Sequence, residues 1–172
     1  MQEIKAPDPC LEEQFTTLVN SYQTSLLRMC YLYLRDLNLA EDAVQETFIK
    51  AYRAMSSFRQ ESSLKTWLMR IAMNTCKDMR RGSWWKRINR NVTLDQLAEE
   101  SMSFPMEAVT VNIEIAKLPM KLREVVLLYY YQGLKTEEIA LALNISVSSV
   151  SGRLKRAKGK LYYALKGEYF NE

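Results

Sequence analysis

Apolar residues recur every three or four positions in several stretches of the chain, the spacing of one buried face of an α-helix. The first three such stretches cover residues 15–34, 39–58 and 64–81. The pattern predicts three helices packed around one core. The predicted core-facing residues are Phe15, Leu18, Val19, Tyr22, Leu26, Met29, Cys30, Tyr33, Leu39, Ala43, Val44, Phe48, Ala51, Tyr52, Met55, Leu64, Trp67, Leu68, Ile71, Ala72 and Thr75.

Periodicity is lost over residues 82–110, where a glycine, serines and a proline collect, and this composition indicates a linker. Pro119 then suits the first turn of a helix that continues to Tyr131 and stops before Gly133. A new helical segment therefore begins in the second half of the chain.

Two further helices follow closely. Thr136 is the expected N-cap of a short helix over residues 137–143, and Ser146 is the expected N-cap of a longer one over residues 147–165. Two helices joined by so tight a turn are typical of a helix-turn-helix.

The predicted fold class is all-α, with two small helical domains joined by a linker. Glycine and proline are scarce, 5 and 4 of 172 residues, which favours helices throughout. We expect a three-helix domain over residues 1–82, a linker over 83–111 and a helix-turn-helix domain over 112–172.

Charge is distributed unevenly, although the net value is only +4. Residues 77–90 are strongly basic, residues 92–116 carry acidic side chains without lysine or arginine before position 117, and residues 153–160 are basic again. Two basic zones therefore flank an acidic spacer.

The last helix has the pattern of a DNA recognition helix. Val147, Val150, Leu154, Ala157 and Leu161 form an apolar stripe that is expected to face the core. Small side chains allow close approach to the major groove, and cations pair with phosphates or guanine edges. A simply solvated basic face is the alternative. The exposed face is predicted to carry Ser148, Ser149, Ser151, Gly152, Arg153, Lys155, Arg156 and Lys158.

Enzymatic chemistry has little support in the composition. The chain has no histidine, and its three cysteines form no CxxC pair, so we expect reduced thiols, no metal site, no cofactor and no small-molecule substrate. The first residues lack the pattern of a signal peptide, and no apolar run approaches the length of a membrane span. We expect a soluble, cytoplasmic protein that is not an enzyme.

Two blocks of sequence resemble one family. VQETFIKAYRAMSSFRQESSLKTWLMRIAMNTCKDMRR, together with LPMKLREVVLLYYYQGLKTEEIALALNISVSSVSGRLKRAKGKL, is similar to the extracytoplasmic-function (ECF) sigma factors of the sigma-70 family. The resemblance implies a sigma-2-like domain followed by a sigma-4-like domain. It also implies binding to bacterial core RNA polymerase, recognition of minus-ten and minus-thirty-five promoter elements, and promoter melting.

The resemblance also implies roles for individual residues of the first domain. The polar face of the second helix would dock on the polymerase clamp, although a solvated charged face is the alternative; its residues are Asp42, Gln45, Glu46, Lys50 and Arg53. A second set would bind the minus-ten element, with one nontemplate base extruded into a pocket: Phe58, Arg59, Ser63, Lys65, Trp67, Arg70, Asn74, Lys77 and Arg81.

Two departures from the family pattern affect these roles. Housekeeping sigma factors have two adjacent tryptophans where this chain has Trp67-Leu68, which implies weaker melting and stricter promoter demands. Trp67 itself fits core packing as well as DNA stacking. Many relatives have a basic residue and then serine where this chain has Ser151-Gly152, so the minus-thirty-five preference is left open. Arg156 is the residue most expected to contact that element.

Trp84 and Trp85 lie in the basic tract, where they fit either stacking on the nontemplate strand or packing on another protein surface. The acidic stretch after them suits a linker that passes through the polymerase. Family resemblance further implies an anti-sigma factor, often membrane anchored. A free-standing helix-turn-helix regulator is the alternative function.

Overall fold

A computed structural model describes residues 9–82 and 109–169, with side chains of the second range described from 110 to 166. These residues form seven α-helices and contain no β-strand. This confirms the all-α prediction with two helical domains. The helices are α1 Pro9–Leu34, α2 Leu37–Met55, α3 Leu64–Arg81, α4 Val109–Lys117, α5 Met120–Val126, α6 Thr136–Leu143 and α7 Val147–Tyr169.

Helices α1 to α3 pack together as one unit. Asp36 and Ser63 accept hydrogen bonds from backbone amides in the first turns of α2 and α3, so each helix begins at a polar cap. The core between them includes Leu26, Phe48 and Leu68, all buried. Tyr52, predicted to face this core, is instead 37% exposed at the edge of α2.

The second helix ends three residues earlier than predicted. It stops at Met55, and the amides of Ser57 and Phe58 then bond to the carbonyls of Ala54 and Met55 in a tight turn. Phe58 is drawn out of the helix because its ring packs on Trp67, with centroids 5.0 Å apart. The turn leaves a short loop over residues 56–63 between α2 and α3.

The second unit contains a helix-turn-helix formed by α6 and α7. The chain before α6 turns at Gly133, whose φ of +64° favours glycine. The N-cap of α6 is Lys135 rather than the predicted Thr136, and the Lys135 amide donates to the Glu138 carboxylate. Asn144, with φ +54°, ends the helix in the left-handed region.

The recognition helix α7 begins after Ser146, whose hydroxyl accepts a hydrogen bond from the Ser149 amide at 3.2 Å. Val150, Leu154 and Ala157 are buried, as the apolar stripe predicts. Val147 is 41% exposed, because at the first position of the helix it lies beyond the packed core.

One segment of the second unit departs from α geometry. Helix α5 continues as a single π-helical turn, Leu127–Tyr131. The wider turn buries Leu127 and Leu128 while Tyr129 and Tyr130 remain exposed. Short π segments of this kind often occur at functional sites.

The two units lie against each other, which no local sequence pattern predicts. Helix α6 packs on α3, while α4 and the π turn pack on α1. The Arg123 guanidinium is buried at this junction and donates to the carbonyl oxygens of Tyr33, Leu118 and Ala116. Gln132 likewise donates to the carbonyl of Ser25 at 2.9 Å. Side chains of the second unit therefore satisfy backbone carbonyl groups of the first.

Candidate nucleic-acid interface

The loop between α2 and α3 forms one wall of a pocket of about 240 Å³. Phe58 and Trp67 pack at its side with a tilt of 43° between their rings, and both are half-buried. An aromatic pair beside an arginine-lined cavity suits an unstacked base. The pocket is lined by Ser57, Phe58, Arg59, Glu61, Ser62, Thr66, Trp67, Arg70, Leu141 and Ala142.

The remaining predicted minus-ten residues extend along α3. Arg70 and Asn74 are exposed one turn apart, and Arg81 near the end of the helix is exposed beside Asp78 at 3.7 Å. Lys65 lies over the ring of Tyr22, 5.9 Å from its centroid. The structure thus brings most of this set to one face of α3 and the loop before it.

Lys77 and Arg153 meet at one carboxylate instead of facing solvent. The Lys77 ammonium lies 2.9 Å from Glu124, and the Arg153 guanidinium donates to the same carboxylate at 2.6 Å. Glu124 is buried and its two partners are only partly exposed. A residue predicted for each promoter element is therefore held by one acid at the junction of the two units.

The other predicted minus-thirty-five residues lie on the outer face of α7. Ser148, Ser149, Ser151, Gly152, Lys155, Arg156 and Lys158 are exposed. Arg156 donates from Nε to the Gly152 carbonyl at 3.3 Å, which holds its stem along the helix. Lys158 lies about 6 Å from the ring centroids of Tyr129 and Tyr130. Small side chains at the helix start and cations beyond them match the geometry of major-groove entry.

The outward face of α2 is only partly polar. Asp42, Gln45 and Arg53 are exposed, and Lys50 lies 3.6 Å from Glu46 and donates to Thr75 on α3. Ile49, 44% exposed, and Tyr52 lie on the same helix beside Phe15 of α1 and line a shallow groove. The docking set that the family resemblance implied contained only polar and charged residues, so Ile49 was left out of it and Tyr52 was assigned to the core.

One acid at the junction was also missed as a functional candidate. Glu138 of α6 accepts hydrogen bonds from Thr66 at 3.0 Å and from Ser63 at 3.4 Å, both at the start of α3. Bonds from the Lys135 amide and then from these hydroxyls hold the pKa of Glu138 below its ordinary value. Glu138 could not be singled out from the sequence, because its hydroxyl partners lie 72 and 75 residues away along the chain.

Burial shifts the pKa values of two side chains at the junction. Burial, with Arg35 and Arg80 nearby, lowers the pKa of Arg123 to about 9, so its guanidinium remains charged at neutral pH. Burial and the neighbouring Glu124 raise the pKa of Tyr33 to about 12. The junction holds a cation in a site that water reaches poorly.

Several sequence-based expectations lie outside the described residues. Trp84, Trp85 and the basic tract from position 83 onward are among them, as is the acidic stretch up to position 108. Within residues 9–82 and 109–169, no cluster of three or more metal-ligating side chains occurs, and no helix is long and apolar enough to cross a membrane.

Comparisons with known proteins agree with this geometry. A family model described as Sigma-70 region 2 matches residues 18–86, and one described as Sigma-70, region 4 matches residues 114–161. RNA polymerase sigma-H factor of Pseudomonas aeruginosa is 33% identical over 88% of this chain and 86% of its own. ECF RNA polymerase sigma factor SigW of Bacillus subtilis is 30% identical over 94% of this chain and 92% of its own.

A solved structure shows the same fold. It is the sigma factor RpoE of Bartonella quintana, in complex with the anti-sigma factor NepR, and superposes with a TM-score of 0.71 and 22% identity over 90% of this chain and 98% of that one. The chain belongs to the sigma-70 family and is an ECF sigma factor. It is an alternative RNA polymerase sigma factor and not an enzyme.

Proposed function

We propose that this sigma factor contacts the minus-ten element through the loop and exposed face of α3, and the minus-thirty-five element through α7. The observation that carries this assignment is the placement of an aromatic-lined pocket and an exposed serine-to-arginine helix face on two separate units. Domain limits of 1–82, 83–111 and 112–172 follow the same division.

The minus-ten surface is assigned to residues that border the pocket or continue along α3. Phe58 and Trp67 would contact an extruded base, while Asn74 has an amide that both donates to and accepts from a base edge. The full set is Phe58, Arg59, Ser63, Lys65, Trp67, Arg70, Asn74, Lys77 and Arg81.

The polymerase-docking surface is assigned to the outward face of α2. Asp42, Gln45, Glu46, Lys50 and Arg53 would supply its polar rim, and Ile49 and Tyr52 would supply its apolar centre. Protein interfaces combine a desolvated apolar centre with a polar rim in this way. Ile49 and Tyr52 therefore change the proposed docking surface from a charged helix face to an apolar patch with a polar rim.

An anti-sigma factor is proposed as a further partner. The Bartonella quintana relative was solved in complex with one, and it shares the present arrangement of helices. We place the protein in the cytoplasm, where it would bind core polymerase and promoter DNA. We propose that it needs no cofactor.

Transcription with purified bacterial core RNA polymerase tests the proposed contacts. A pool of random promoter fragments should give products that share two spaced elements only when this protein is present. Arg156→Ala should reduce minus-thirty-five-dependent transcription about tenfold. Lys166→Ala, which removes an exposed cation at the far end of the same helix, should have little effect. Equal losses for both variants would contradict the assignment of Arg156.

A further inference from the structure

We propose that Cys30 and Cys76 form a reversible thiol-disulfide switch, in which oxidation by a hydroperoxide joins α1 to α3 and weakens binding of the minus-ten strand. The effect on DNA rests on the proposed role of the α3 face, whereas formation of the disulfide does not. The proposal gives a function to two buried thiols that neither the promoter surfaces nor the polymerase-docking surface uses.

The two thiols meet where α1 packs on α3. Their sulfur atoms lie 3.5 Å apart, although Cys30 and Cys76 are 46 positions apart in the chain, and both side chains are fully buried. A buried cysteine often serves only as a small apolar side chain. Two that place sulfur against sulfur across a helix interface are also positioned for a covalent bond, because the sulfurs of a disulfide lie about 2 Å apart. The remaining approach is about 1.5 Å, shared between two helices.

The surroundings of the pair favour uncharged sulfur. Leu26 and Met73, one turn before Cys30 and Cys76 on their own helices, are also buried. The hydrogen bond with Cys76, and then burial, raise the pKa of the Cys30 thiol well above its ordinary value. Binding of a soft metal ion by the pair would place thiolate charge in this apolar core, whereas a disulfide is uncharged. Oxidation therefore suits the site better than metal binding.

Hydrogen peroxide supplies the oxidant in two steps. One thiol gives up its proton and its sulfur attacks a peroxide oxygen, so that an S–O bond forms, the O–O bond breaks and hydroxide leaves with that proton as water. The second sulfur then attacks the sulfenic acid, so that the S–S bond forms, the S–O bond breaks and a second water leaves. The two sulfurs lose two electrons in total, and the two peroxide oxygens gain them.

Burial sets the rate of this reaction. Because packed α1 and α3 keep solvent from both sulfurs, peroxide reaches them only when the two helices separate locally. Cys10, near the start of α1, is exposed and reacts without that step. We therefore expect the buried pair to respond to sustained peroxide and to ignore a brief exposure.

The disulfide would act on DNA binding through the position of α3. Asn74, assigned to the minus-ten surface, lies two positions before Cys76 on this helix. Thr75, between them, accepts a hydrogen bond from Lys50 of α2 at 3.2 Å. Drawing Cys76 toward α1 shifts this part of α3 relative to the loop over residues 56–63. Since a base must contact the loop and the helix together, the shift lowers affinity for the strand.

Peptide mapping of the full chain tests the chemistry. The reduced protein is treated with hydrogen peroxide and digested, and the peptides are identified by mass. We expect the peptide of Cys30 to be linked to that of Cys76 within a monomer, and dithiothreitol to release it. Cys10→Ser should form the same link, because it leaves the buried pair intact. Absence of this link after Cys10 has been fully oxidised, or links between chains through Cys10 alone, would overturn the proposal.

A binding measurement tests the switch. Oxidised Cys10→Ser protein is freed of peroxide, assembled with core RNA polymerase and mixed with the labelled nontemplate minus-ten strand of a promoter recovered from the random pool. It should bind the strand about fivefold more weakly than the reduced protein, and dithiothreitol should restore the affinity. The same treatment of the double variant Cys10→Ser, Cys76→Ala should change nothing.

Equal affinities of the linked and reduced proteins would show that the disulfide does not reposition α3, and a loss of affinity shared by the double variant would show that the cause lies outside the pair. Either result would refute the switch. The peptide map needs neither DNA nor polymerase, so it separates failure of the disulfide from failure of the minus-ten assignment.

Discussion

Residues close together in the sequence can differ in whether their side chains are free to contact DNA. Arg153 and Arg156 lie three positions apart in one basic run, yet Arg153 is bound to a buried carboxylate and Arg156 is exposed. Sequence spacing placed both on the DNA-binding face. The distinction depends on Glu124, which is distant in sequence and becomes a neighbour only through folding.

Gly152 lies inside helix α7, where glycine is unfavourable. Glycine inside a helix costs about 1 kcal/mol relative to alanine. A Cβ at this position would meet no atom of the described residues within 4 Å, and the same holds for Gly159. Packing within the chain therefore does not require glycine at either site.

We expect Gly152→Ala and Gly159→Ala each to stabilise the free protein by about 1 kcal/mol in urea unfolding. Gly152→Ala should also weaken promoter binding by the polymerase holoenzyme, because the added methyl group lies where the major groove would approach the backbone. Gly159→Ala serves as the control and should bind promoters normally. Unchanged promoter binding by both would remove the argument for close approach at Gly152.

At the scale of elements, sequence patterns predicted most helices well and their ends less well. The limits of α3 match the prediction at both ends, because Ser63 is a local cap and Gly82 follows the last helical residue. The end of α2 was predicted too late, since Phe58 leaves the helix to contact Trp67 across a loop. Local signals determine caps, whereas a tertiary contact determined this end.

The surface of α2 leads to a prediction about one element. Ile49→Ser should weaken binding to core polymerase about tenfold, since it removes the proposed apolar centre of the interface. Stability should change by less than about 0.5 kcal/mol, because Ile49 is exposed in the free protein. Leu37→Ser removes another exposed aliphatic side chain from the same helix and is the matched control. Binding to immobilised core enzyme measures both, and equal losses would mean that the surface is wrongly placed.

At the scale of the whole molecule, the sequence predicted least about how the two units pack against each other. Two helical domains, their order and the helix-turn-helix were predictable because each rests on local periodicity and capping. Their packing was not, since the bonds of Arg123 to Tyr33 and of Glu138 to Thr66 join positions 90 and 72 residues apart. Neither side of these contacts has a distinctive local pattern.

The shared junction predicts cooperative unfolding. Calorimetry of the unaltered chain should show a single transition whose calorimetric and van't Hoff enthalpies agree, because Arg123 and Gln132 of the second unit complete hydrogen bonds of the first. Glu138→Lys should broaden this transition or split it in two, whereas Glu137→Lys should not. Two separate transitions in the unaltered chain would contradict a stable junction.

The buried guanidinium of Arg123 makes the packing of the two units against each other sensitive to temperature. Hydration of a charged group becomes less favourable as temperature rises, so the penalty for burying Arg123 falls on warming. Apolar contacts at the junction weaken on cooling, which acts in the same direction. Below the unfolding temperature, warming therefore favours the packed arrangement of the two units and cooling favours their separation.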